Sequence, residues 1–122
     1  MRIAAAFFEA SRSGDTQTLR TMLAADVAVY ADGGGKTPTT MRPVTGLEGV
    51  LQLHASLAVI FASQMSRLVR YAFINGLPGF VTIEQTDTLQ TTALQIENEG
   101  IAAIYVVRNP EKLRHLGAHA VQ

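Results

Sequence analysis

The side chains best placed to do chemistry are three histidines and one glycine-rich loop ending in a lysine. His54 falls in an apolar helical stripe, between Leu47 and Leu57. An imidazole there is either a satisfied core or pocket-wall residue, or a general base or ligand contact. His115 and His119, with Glu111 before them, would share one face of an unbroken helix, and a His pair at that spacing can bind a metal. Gly117 lies between the two histidines and predicts a helix end there, so no metal and no cofactor is assigned. The run Gly33-Gly34-Gly35-Lys36-Thr37 ends like a phosphate-binding loop. The full pattern needs a glycine where Tyr30 stands, and Pro38 blocks the first turn of the helix that should follow. Nucleotide binding is therefore set aside. The glycines read as a loop needing positive φ, or as a place where a ligand or partner approaches bare backbone.

The bulk properties narrow the class. A chain of 122 residues fits one domain, taken as residues 1–122. The formal net charge is zero, and the only close basic trio is Lys112, Arg114 and His115. Without a basic stripe, direct nucleic-acid binding is not expected. There is no cysteine, which excludes disulfides and thiolate chemistry. Glu9 and Arg12 interrupt the N-terminal apolar run too early for an export signal, and no stretch is long enough for a bilayer. A cytoplasmic protein with no membrane partner is the expectation.

The elements that must position these residues follow from periodicity. Ile3 to Arg12 reads as a helix stopped by Ser13-Gly14, and Asp15 caps a second whose apolar side is Leu19, Met22 and Leu23. Asp26 ends that unit, and Val27 to Ala31 is a short strand leading into the glycine loop. Thr45 and Glu48 form a capping box for a third helix. Its main stripe is Leu47, Val50, Leu51, Leu57, Ala58 and Phe61. Leu53, Val59 and Ile60 form a second, which predicts burial on most sides. The rest alternates as strands. Val69, Tyr71 and Phe73 share one face, Val81 and Ile83 another, and Tyr105 goes with Ile101, Ala103 and Val107. Leu89 to Ile96 and Ile101 to Arg108 flank a turn at Glu97 to Gly100, and Asn109-Pro110 opens a closing helix. Helices followed by a strand meander make an α+β pattern with the helices on one sheet face.

Three loop segments carry a resemblance: Asp32-Gly33-Gly34-Gly35-Lys36, Asn75-Gly76-Leu77-Pro78-Gly79 and Asn109-Pro110-Glu111-Lys112-Leu113. Together they resemble the SnoaL-like domain at the C-terminus of a group of bacterial extracytoplasmic-function sigma factors. The resemblance runs from about Phe7 to about Leu116, with Glu111 where that family more often has Asp. It implies the cone-shaped nuclear transport factor 2-like (NTF2-like) fold, with N-terminal helices on a curved antiparallel sheet, and a homodimer. The sigma domains themselves are absent, which implies a stand-alone relative or a fragment.

The resemblance also implies a function: a non-catalytic regulatory or ligand-sensing domain. Its partner would be a sigma factor or the transcription machinery. Asp32 and Lys36 would make the contact, with the glycines Gly33, Gly34 and Gly35 between them. Asn75 and Asn109, with the segments they open, would be neighbours on the same surface. Enzymatic relatives of the fold place acid/base residues inside the cone, which points to a second class: an isomerase, cyclase or hydrolase, or a binder of a small apolar ligand. The pocket candidates are then Tyr30, His54, Tyr71, Glu84, Tyr105 and Arg108, with Asp32 and Gln95 as further contributors and His54 as the candidate catalytic base.

Overall fold

The computed structural model describes residues 2–32, 43–63, 66–84, 88–98 and 100–108, side chains at 32 and 60–63 excepted. Helix α1 (Arg2–Ser13) buries Ala4, Phe7, Ala10 and Ser11, the spacing of one helical face. Gly14 ends it in the left-handed region at φ 75°, a conformation that glycine adopts without steric cost. Asp15 then caps α2 (Thr16–Met22), as its sequence position predicts. Its carboxylate accepts from the Thr18 backbone N–H at 3.1 Å and the Thr18 hydroxyl at 2.7 Å.

Strand β1 (Leu23–Asp32) starts earlier than the sequence suggests, so Leu23 to Asp26 belong to the strand and not to the helical unit. Pairing with the last strand through Leu23↔Ile101 decides the outcome over local propensity. The two-residue strand β2 (Val44–Thr45) pairs with β1 through Val29 and Ala28. Gly46, at φ 88°, bonds the Val27 carbonyl at 2.8 Å and turns the chain into α3 (Leu47–Ser63). The expected capping box is replaced: Thr45 lies in β2, and the Glu48 carboxylate is held by Arg20 at 2.7 and 3.3 Å. Nor is α3 buried on most sides. Val50, Leu51 and His54 face the core, while Gln52, Ala55, Ser56 and Val59 face outward, with Val59 at 73% exposure.

Strands β3 (Ser66–Ile74), β4 (Leu77–Glu84), β5 (Thr88–Glu97) and β6 (Gly100–Arg108) form the meander. The sheet order is β2-β1-β6-β5-β4-β3, antiparallel except for the parallel β1–β6 pair. Asn75 (φ 52°) and Gly76 (φ 82°) both take positive φ, as a two-residue hairpin turn of this hand requires. The core lies between the helices and one sheet face, with Phe7, Leu19, Val27, Val50, Phe80, Leu94, Ile101 and Ile104 at its centre.

Two bulges overturn the alternation expected from sequence. In β3, Leu68 pairs with Thr82 and Arg70 with Val81, so Val69 is extra. Leu68 and Tyr71 then share the core side, and Val69 does not keep the face of Tyr71. In β6, Ile101 pairs with Ile96 and Ala103 with Gln95, which makes Ala102 extra. Ile101 therefore enters the core, while alternation puts Tyr105 on the opposite sheet face with Ala103 and Val107, Tyr105 being the exposed one. No described helix is long and apolar enough to cross a membrane.

Candidate functional site: the polar half of the inner sheet face

The inner face changes character along the strands. At one end the register aligns Leu94, Ile104 and Val29, all apolar. The next row is Tyr71, Phe80, Thr92 and Val106, and beyond it stand Leu68, Thr82, Gln90 and Arg108. Ser66, Glu84 and Thr88 close the series. Polar groups thus gather at the far half of the face, and Thr82, Glu84, Gln90 and Thr92 are all buried there.

Glu84 is the hub. One carboxylate oxygen, Oε2, accepts from Arg12 at 3.3 Å, from Ser66 Oγ at 3.0 Å and from the Thr82 hydroxyl at 2.5 Å. Arg12 reaches it from the last turn of α1 and also donates from Nε to Ser66 Oγ at 3.1 Å. The guanidinium lies over the Phe8 ring at 4.9 Å and near the Phe80 ring at 5.9 Å. Burial pulls the Arg12 pKa below its usual value, and the Glu84 charge and hydrogen bond oppose that shift. A buried carboxylate is tolerable only when so paired and bonded.

His54 sits on α3 against Phe7, edge to face at 5.5 Å between ring centroids. Its Nδ1 donates to the Val50 carbonyl at 2.9 Å. A carbonyl only accepts, so the neutral ring carries its proton on Nδ1 and leaves Nε2 as an acceptor. Burial lowers the His54 pKa first, and the nearby Arg12 charge lowers it further, against the Val50 bond. No described carboxylate bonds the ring. Tyr71 packs edge to face on Phe8 and Phe80, at 6.3 and 6.4 Å, and burial raises its pKa with help from the Glu9 charge.

Of the pocket candidates, the fold therefore gathers His54, Tyr71, Glu84 and Arg108 on the inner side. Tyr30 and Tyr105 do not join them. Their neighbours Val29 and Ile104 are core residues, so alternation turns both tyrosines to the outer face. There they stack at 5.3 Å, and Tyr105 donates its hydroxyl to Gln95 Oε1 at 2.8 Å. Arg12, Ser66 and Thr82 were missed from sequence. The available signal was Arg12 standing one helical turn after Phe8, on the same edge of an apolar helix.

The loop segments divide. Asp32 pairs with Val107, and the parallel β1–β6 pairing sends both chains out at one end of the sheet, toward residues 33 and 109. The Asn75-Gly76 turn opens β4, which runs in the same direction as β6, so it lies at the opposite end. It is no neighbour of the Asp32 exit, contrary to the expectation of one shared surface. Gly33, Gly34, Gly35, Lys36 and Asn109 to Leu113 lie outside the described residues, as do Glu111, His115 and His119. Among the described residues no group of three or more His, Asp or Glu could hold a metal ion.

No protein-family model matches the chain. In sequence it is 27% identical over 111 residues to the extracytoplasmic-function RNA polymerase sigma factor SigJ of Mycobacterium tuberculosis. That match covers 84% of this chain but 35% of the sigma factor, so the chain spans about a third of the relative's length. The crystal structure of SigJ superimposes at TM-score 0.67, with 23% identity, over 92% of this chain and 42% of SigJ. A SnoaL-like protein of unknown function from Burkholderia thailandensis gives TM-score 0.68 at 6% identity, over 88% of this chain and 91% of that one. IdmH from Streptomyces antibioticus, a candidate polyketide cyclase, gives 0.64 at 16% identity, over 95% and 96%. The chain has the α+β, cone-like NTF2-like fold, and in sequence it is similar to a part of a sigma factor.

Proposed function

We propose that the chain is a non-catalytic, ligand-sensing regulatory domain. Its inner face receives a small molecule, and the Asp32-to-Lys36 loop contacts a protein of the transcription machinery. The state of Glu84 carries the non-catalytic half. Acid/base chemistry needs a carboxylate or imidazole free to exchange a proton with substrate. Glu84 instead spends Oε2 on Arg12, Ser66 and Thr82. It does not orient His54. The similarity to a sigma factor supports the regulatory half.

A native mass spectrum of the purified chain tests the ligand. A retained mass lost on denaturation is the expected result. For the loop, Lys36→Ala and Gly34→Val should weaken capture by RNA polymerase carrying an extracytoplasmic-function sigma factor. Unchanged capture by folded variants would remove the loop from the proposal.

The second reading is an enzyme, and the His54 tautomer favours it, because the Nδ1–H bond to Val50 leaves Nε2 as an unprotonated acceptor. Conversion of the retained molecule to a new mass, abolished by His54→Gln, would establish it.

For assembly we propose a homodimer through the outer sheet face, where Tyr30 and Tyr105 stand 42% and 36% exposed. Sedimentation equilibrium of Tyr105→Arg should then give a monomer.

A further inference from the structure

We infer that the small molecule taken by the inner face is an organic anion, a carboxylate on an apolar body, and that Arg108 receives its charge. The inference rests on the proposed ligand-binding role of that face.

Arg108 continues the inner-facing series Ile104, Val106, Arg108 at the polar end of β6. Its Nε and one Nη donate to the same acceptor, Gln90 Oε1, at 3.0 and 2.7 Å. Gln90 is buried and pairs across β5–β6 with Arg108 itself, so the guanidinium is held in place by a neutral partner. The two ion pairs among the described residues are Arg12–Glu84 and Arg20–Glu48. Arg108 belongs to neither. Its second terminal nitrogen and the Gln90 amide nitrogen have no bond in the described structure, and no buried side-chain nitrogen or oxygen there is left unsatisfied. Both donors are therefore accessible to solvent.

The charges described on this wall favour an anion. Among the described residues Arg12 is paired with Glu84, burial holds His54 toward its neutral form, and Arg108 is bonded only to the neutral Gln90. A half-buried guanidinium fixed by a neutral amide is pre-organised for a carboxylate, which it can bind through two parallel hydrogen bonds. On the same strand half-buried Val106 offers apolar surface, and across the sheet half-buried Leu68 and Tyr71 extend it.

The experiment is a binding series on the full chain, followed by two-dimensional NMR. The probes are octanoate, 4-phenylbutanoate and 2-naphthoate, each against its primary amide. Wild type should bind at least one acid tenfold or more tighter than its amide. Arg108→Gln should lose that preference while amide binding is kept, and Arg108→Lys should restore part of it. A circular dichroism melt confirms that each variant is folded. If amides bind as tightly as acids, or if folded Arg108→Gln keeps the preference, the anion assignment is wrong and the ligand site stands. If neither series binds and no mass is retained in the native spectrum, the ligand-binding role itself falls, and this inference with it.

Discussion

Gly79 on β4 lies so close to Thr92 on β5 that a Cβ built on it would stand 2.1 Å from the Thr92 carbonyl oxygen. The clash is with backbone, which cannot turn aside as a side chain could. Gly79→Ala should therefore push β4 and β5 apart and cost about 3 kcal/mol, at the upper end for overpacking. Urea denaturation against wild type checks this. A loss below about 0.5 kcal/mol would mean that the strands part easily there.

The two ion pairs should differ sharply in worth. Arg12→Ala strands the Glu84 carboxylate, whose side chain is 5% exposed, and should cost about 3–5 kcal/mol. Glu84→Gln should cost less, because the Ser66 and Thr82 hydroxyls can still bond an amide. Glu48→Ala breaks a pair exposed at 53% and 72%, and its melting temperature should stay within error of wild type. Thermal melts of the three variants rank them.

His54 makes stability depend on pH. Its pKa is lowered in the folded state, so near the ordinary value of about 6.5 the unfolded chain binds more protons than the native one. The stabilisation is present above that value and is lost as pH falls through it toward the folded pKa. Denaturant midpoints should drop between about pH 7 and 5 for wild type. In His54→Gln that part of the slope should vanish. Equal slopes would place the burial effect elsewhere.

Much of this architecture was legible because local signals and tertiary demands agreed. Gly14 and Asp15 announce a helix stop and a cap, and both act so. Asn75-Gly76 announces a hairpin and makes one. Legibility failed where a long-range pairing set the outcome. The bulges at Val69 and Ala102 are defined only by partner strands, yet they decide which of the aromatic and aliphatic residues face inward. Tyr105 read as sharing the face of Ile101 for that reason. His54 was visible from its place in the stripe, whereas its hydrogen bond and tautomer were not. Arg12 was hidden because its partner Glu84 comes from a strand far along the chain.

The parallel pairing of β1 with β6 has a kinetic consequence. Leu23 meets Ile101 and Asp32 meets Val107, so the first strand is complete only when the last one arrives. The hairpins of the meander close over short loops, but this seam must close over most of the sequence. Such non-local pairing slows folding, because the loop entropy is lost before the contacts form. Until then β1 is left with only the two-residue strand β2 beside it. A nascent chain that has not yet delivered Gly100 to Arg108 thus offers an unpaired apolar edge, and in that interval it is most open to a holdase chaperone, to strand exchange with another copy, or to aggregation.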